Sequence, residues 1–166
     1  MARLTRTSEY VRSTIFGIED SLVSTTGIVA GVSAGSHHRP TILLAAIVAV
    51  TIEAMSMAAG EFLSDEAVHE MNKRRRAGDS AMVSATLMFF AYLLAGAIPI
   101  VPVIVFAYPS SIFISIFCSL IGLFILGYVK GRVVRVNATR SGLKILLIGG
   151  VTAIVGVIVG HFLKAV

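Results

Sequence analysis

Tryptophan is missing from the 166 residues, cysteine occurs once, and charged residues make up only 14 %. A lone Cys118 excludes a disulfide-stapled secreted scaffold. There is no CxxC, no phosphate-cradling glycine loop and no pairing of nucleophile with base, which argues against an enzyme. The charged share is well below the roughly 25 % of soluble domains. Apolar residues take its place. They form 56 % of the chain before its 15 glycines are added, against about 45–50 % with glycine included in soluble domains. Mean hydropathy is +0.90. This excludes a disordered chain, and so small a soluble domain cannot hide that much apolar surface. The reading is an all-α membrane protein with several spans. A net charge of +5 would suit nucleic acid, but the placement of the charges assigns them to topology, so no nucleic-acid partner is expected.

A spanning helix needs about 20 mostly apolar residues. Five stretches qualify: 14–34, 41–63, 81–107, 111–129 and 143–163. Turn or charge signals separate them at 36–40, 64–80, 108–111 and 130–142. The strict alternation of a lipid-facing barrel strand is absent. With the N-terminus inside, Arg3, Arg6, Arg12, Lys73, Arg74, Arg75, Arg76, Lys130, Arg132, Arg135, Arg140 and Lys144 all lie inside, and only Arg39 and Lys164 fall outside. The positive-inside rule therefore gives N-in, C-out. Arg3 and Arg6 resemble the basic start of a secretory signal, but Glu19 and Asp20 interrupt the apolar run that should follow. The expected organisation is a cytoplasmic segment 1–13, one transmembrane domain 14–163 and a short cytoplasmic linker 64–80, with no soluble domain before or after. No internal repeat is visible, and five spans do not divide into two equal inverted halves.

Of the nine acids, Glu9, Asp65, Glu66, Glu70 and Asp79 fall in cytoplasmic segments. Glu19 and Asp20 fall in span one, Glu53 and Glu61 in span two. Each carboxylate at membrane depth costs about 2.5–3.5 kcal/mol on insertion scales, and such residues face a bundle interior or a water path. Four acids on two adjacent spans read as one site. Glu53, Met57 and Glu61 are spaced i, i+4, i+8 and share a face. Asp20 lies about 9 Å from the start of span one and Met57 about 9 Å from the cytoplasmic end of span two, so the two can meet. Glu61 then marks the cytoplasmic mouth and Glu53 the deepest point. Carboxylates with one thioether suit Fe²⁺ or Mn²⁺, and after them Co²⁺ or Ni²⁺, better than calcium, magnesium, zinc or copper. Packing is the competing reading of Met57. Glu19, next to Asp20, points elsewhere and reads as an interfacial acid.

Gly27, Gly31 and Gly35 form a GxxxGxxxG stripe that Gly17, Asp20 and Ser24 continue. Such a stripe packs closely against another helix. That helix is either span one of a second copy at a two-fold axis or a span of the same chain. His37 and His38 read as solvated loop residues or a release-side metal contact, and His161 as interfacial. Cys118 reads as a small buried residue and Met55 as packing. Pro99 and Pro102 are expected to kink span three.

The segment Ser56-Met57-Ala58-Ala59-Gly60-Glu61-Phe62-Leu63-Ser64 resembles the signature of the vacuolar iron transporter family. Asp20-Ser21-Leu22 is similar to the family's Asp-Gly-Leu opening, with Ser21 in place of Gly. Gly96-Ala97-Ile98-Pro99-Ile100-Val101-Pro102 is similar to its Gly-x-x-Pro-x-x-Pro. Gly127-Tyr128-Val129-Lys130-Gly131-Arg132, Arg140-Ser141-Gly142-Leu143 and Ile148-Gly149-Gly150 extend the likeness to about residues 10–163. The resemblance implies a five-span homodimer with its path near the dimer axis. It implies export of Fe²⁺, often also Mn²⁺, from the cytoplasm in exchange for protons. Asp20 and Met57 match the family's transport residues and Glu61 the motif Glu, while Glu53 rests on its own position. The long Glu- and Met-rich cytoplasmic domain of many members is absent, so the chain resembles the family's shorter branch. No permanent cofactor is implied; Fe²⁺ or Mn²⁺ is the cargo.

The expected function is metal/proton antiport. Protons and a divalent metal compete for the same carboxylates, since ligands must be deprotonated to bind. The rival reading is a non-transporting scaffold or regulatory subunit whose acids are structural hydrogen-bond partners. The expected membrane is a prokaryotic cytoplasmic membrane, or a vacuolar one in a eukaryote. The orientation has a direct test. With Cys118 replaced by Ser, Lys164→Cys should react with an impermeant reagent applied outside, and Arg74→Cys only after permeabilisation. The reverse pattern inverts the topology.

Overall fold

The computed structural model describes residues 2–71 and 78–163, with side chains over 8–71 and 80–163. Residues 73–76 and Lys164, which carry part of the charge asymmetry, lie outside the described residues, as do the side chains of Arg3, Arg6 and Asp79. Five helices follow one another: α1 Ala2–Gly35, α2 Arg39–Met71, α3 Gly78–Val105, α4 Ser110–Val133 and α5 Ala138–Leu163. Each contains a stretch long and apolar enough to cross a membrane. No strand occurs among the described residues. The helices outrun the apolar stretches. α2 continues past residue 63 through Asp65, Glu66, His69 and Glu70 to Met71, because the backbone ladder is indifferent to whether side chains meet lipid or water. Much of the stretch 64–80 is therefore helix. Pro99 and Pro102 lie inside a continuous α3, and Ser115 Oγ of α4 donates to the carbonyl of Pro99 at 2.6 Å.

Burial runs opposite to that of a soluble bundle. Ser21, Thr25, Ser84, Ser115 and Ser119 are fully buried, while Leu44, Leu94, Phe113 and Val151 are 61–72 % exposed. Apolar surface gains nothing by leaving lipid, whereas small polar residues let helices approach and bond. α1 touches each of the other four helices, and α2 touches only α1 and α3 among the described residues. Ile42, Ala46, Val50 and Ala54, four apart on α2, pack with Val29, Tyr92, Ile100, Val103 and Ile112 into one apolar cluster. Leu22, Ala95, Leu123 and Ile145 form a second. The face of α2 with Leu44, Ile52, Met55 and Leu63 turns outward, so Met55 is not packed. Arg39 tightens the far end. Its Nε donates to Val103 O at 2.8 Å and its Nη2 to Ile104 O, which satisfies carbonyls that a helix C-terminus leaves open.

The stripe Gly27, Gly31 and Gly35 meets α5 of the same chain. A Cβ on Gly31 would lie 2.8 Å from Gly156 O, and one on Gly35 would lie 3.0 Å from Gly160 O. In return, a Cβ on Gly156 or Gly160 would run into the carbonyls of Gly27 and Gly31. Gly27, Gly31 and Gly35, expected as the packing face of a dimer, are thus engaged within the chain, and they also line a groove with Val155 and Val159 of α5. Gly156 and Gly160 supply a second small-residue face, and backbone meets backbone within one chain. Overpacking costs about 1–3 kcal/mol, so Gly31→Leu should lower the thermal midpoint of the detergent-solubilised protein. Gly60→Ala, where nothing lies within 4 Å of the new methyl, should not. Equal midpoints for the two variants would remove the α1–α5 contact.

Candidate functional site

Two cross-links fix how α2 lies along α1. At one level Tyr92 Oη, on α3, donates to Glu53 Oε2 at 2.5 Å. Ser24 Oγ, on α1, is 3.0 Å from the same oxygen and 2.7 Å from Tyr92 Oη. The carboxylate thus ties three helices together. At the other level Glu61 Oε1 accepts from Ser13 Oγ and pairs with Arg12 Nη2 at 2.9 Å. Met57 is halfway between these levels on α2, which sets it beside the turn of α1 that holds residues 17–20. Its side chain is partly buried against the first apolar cluster.

Asp20 is half-buried and within electrostatic reach of Glu53 and Glu19. It makes no hydrogen bond and no ion pair among the described residues. Glu19 turns to α4, where Lys130 Nζ lies 4.0 Å from its Oε2. Glu19, Lys130, Arg12 and Glu61 line a cavity of about 730 Å³ with Ser13 and Met88. The structure thus brings Asp20 and Glu53 into one neighbourhood and sets Met57 level with it. It keeps Glu61 apart, about 12 Å along α2 from Glu53, with a cation of its own. No three His, Cys, Asp or Glu side chains gather to hold a metal ion among the described residues. The histidines stay outside this region. His37 Nδ1 bonds Tyr108 Oη at 2.5 Å, His38 Nδ1 bonds Thr41 Oγ1 at 2.9 Å, and His161 is exposed.

The electrostatics divide the acids into two kinds. Arg12 and Lys130 neutralise Glu61 and Glu19. Asp20 and Glu53 have no cation among the described residues, and Glu53 alone has hydroxyl donors. Two neighbouring carboxylates without a counter-ion favour a bound cation. The thioether of Met57, packed against the first apolar cluster, lies at their level.

The sequence profile of the VIT family matches residues 11–79 and 65–161, which together span most of the chain. The chain belongs to the VIT family. A curated relative from Oryza sativa subsp. japonica, vacuolar iron transporter homolog 2, is 29 % identical over 159 residues, covering 86 % of this chain and 84 % of its own length. The protein of the same name from Arabidopsis thaliana is 24 % identical over 153 residues, covering 86 % of this chain and 78 % of its own. In this VIT-family chain the motif around Met57 and Glu61 lies along α2 where it faces α1 at both cross-links.

Sequence reasoning missed four residues that shape the region: Tyr92, Arg12, Ser13 and Asp65. Tyr92 had a signal, being a tyrosine in mid-span, where a hydroxyl needs a partner. Ser24 was noticed for its stripe and not as a partner of Glu53. Removing the phenol hydroxyl with Tyr92→Phe leaves Glu53 only Ser24. The expected loss is about 1 kcal/mol in thermal unfolding, of the order measured for hydrogen bonds between membrane helices. In a Glu53→Gln chain the same change should cost less, because the two residues are coupled. Additive losses would break the link.

Proposed function

We propose that this chain exports a divalent first-row metal, Fe²⁺ and by the same chemistry Mn²⁺, from the cytoplasm in exchange for protons. Membership of the VIT family supports a metal transporter, as do curated relatives named vacuolar iron transporter homologs. The observation that carries the reading is the half-buried Asp20 beside Glu53, an acidic pair to which no described side chain brings a cation. Asp20 and Met57 contact the ion, Glu53 holds the deepest carboxylate, and Glu61 stands at the cytoplasmic mouth. The orientation is N-in, C-out. One chain offers too few ligands at this level, so we propose that two copies pool them in a homodimer, with a contact other than the stripe that α5 occupies. Metal and protons exchange because an ionised carboxylate is needed to bind metal and a protonated one is not charged.

One observation favours the rival, a non-transporting scaffold. Glu53 Oε2 is held by Tyr92 and Ser24, and Glu61 Oε1 by Arg12 and Ser13. Buried structural carboxylates have this appearance. Flux into liposomes under a pH gradient separates the two. Asp20→Asn keeps the shape, removes the charge, and should abolish metal flux and metal-driven proton movement together. Met57→Leu removes the sulfur and should cut Fe²⁺ transport severalfold while sparing any passage of Mg²⁺, which gains little from a thioether. Glu53→Gln should mainly uncouple protons from metal. Folded Asp20→Asn and Met57→Leu proteins that carry Fe²⁺ at wild-type rates would leave the scaffold standing.

A further inference from the structure

The mouth end of the α1–α2 seam holds an acid that the deep site does not use. Asp65 follows Glu61 by four residues on α2, so the two share a face. Asp65 is 7 % exposed. Its Oδ1 is 3.9 Å from Arg12 Nη2, the nitrogen that lies 2.9 Å from Glu61 Oε1. Its other oxygen, Oδ2, is buried and has no hydrogen-bond partner among the described residues. Buried carboxylate oxygens are ordinarily bonded, so an orphan oxygen on an acid that shares its cation with a second carboxylate points to a ligand. The three partners are also held unequally. The Glu61 and Asp65 side chains are each 10 % exposed, whereas that of Arg12 is 63 % exposed. The acids lie largely buried in the seam and the cation is exposed to solvent, the kind of ion-pair partner that contributes least and is screened by salt.

We propose that Glu61 and Asp65 form a separate station for a hard divalent cation, which Arg12 occupies until the metal displaces it. The ligands are all oxygen, with Ser13 Oγ, now bonded to Glu61, as a further donor. An oxygen set without sulfur takes Mn²⁺ or Mg²⁺ and does not favour softer metals, unlike the level of Met57. As a first stop on the transport path the station rests on the function proposed above; as a binding site it stands on its own residues.

Titration of the purified full-length protein with Mn²⁺, following free Mn²⁺ by electron paramagnetic resonance, tests it. Arg12→Gln removes the competing charge and should tighten Mn²⁺ binding about tenfold or more. Arg12→Lys should stay near wild type. Adding Asp65→Asn to the Arg12→Gln chain should abolish the gain, and Asp65→Asn alone should remove one weakly bound Mn²⁺ per chain. Tighter binding is not an outcome of misfolding, and the single Asp65 variant decides the matter if Arg12→Gln does not fold. Asp20→Asn in the Arg12→Gln background separates the two sites. Retention of the gain with loss of a second Mn²⁺ supports both. Retention of the gain with an unchanged count supports the mouth station and overturns the deep one. Unaltered affinity in Arg12→Gln, or a gain that survives Asp65→Asn, overturns the mouth station.

Discussion

A carboxylate inside an apolar bundle has to find its hydrogen bonds on neighbouring helices, because lipid offers none. Glu53 of α2 finds them on both flanking helices, Ser24 on α1 and Tyr92 on α3. The rest of that three-helix contact follows. Ser21 Oγ donates to the carbonyl of Tyr92 at 2.6 Å. Gly96 makes the approach possible, since a Cβ there would lie 2.9 Å from Ser21 Oγ and from Val50 Cγ1. The polar contact and the small residue are one arrangement: without Gly96 the helices stand apart, and without Ser24 and Tyr92 the acid is unsupported.

α1 connects this arrangement to the remainder of the fold because it has two working faces. One presents Ser13, Ser21, Ser24 and Asp20 toward α2 and α3. The other presents Gly27, Gly31 and Gly35 to Gly156 and Gly160 of α5. Neither face carries bulk, so α1 sits in the middle and touches every other helix. A helix held through backbone contact on one side fixes the height of its acids on the other. α2 is held differently. It has α1 and α3 on one side and an apolar, outward face on the other, so it is the least enclosed wall of the site.

The five helices were legible because length and hydropathy decide them with no knowledge of tertiary contacts. So was the face shared by Glu53, Met57 and Glu61, which depends on helical period alone. The partner of the Gly27 stripe was not, because a small-residue face announces that something packs closely and not what. The matching signal was present in span five as Gly149, Ala153, Gly156 and Gly160, and pairing the two stripes would have chosen α5 over a second copy. The apolar spans do not give the helix ends where polar helix formers follow an apolar run, as Asp65 to Glu70 do in α2. Arg12 and Asp65 were read only as charges of the cytoplasmic segments for the same reason. The extension of both helices carries them past the apolar stretch and brings them face to face.

Charge balance along the α1–α2 seam gives the last step. Glu19, Asp20, Glu53, Glu61 and Asp65 are five acids, and among the described residues only Arg12 and Lys130 come within 4.0 Å of any of them. Lys130 serves Glu19, and Arg12 is shared by Glu61 and Asp65. The excess negative charge is not spread evenly. It falls at Asp20 and Glu53, and again on the buried oxygen of Asp65. On the function proposed above, mobile positive charge, metal or proton, settles this imbalance. The acids outnumber the described cations that reach them, so on that function the ions that complete the seam come from outside the chain.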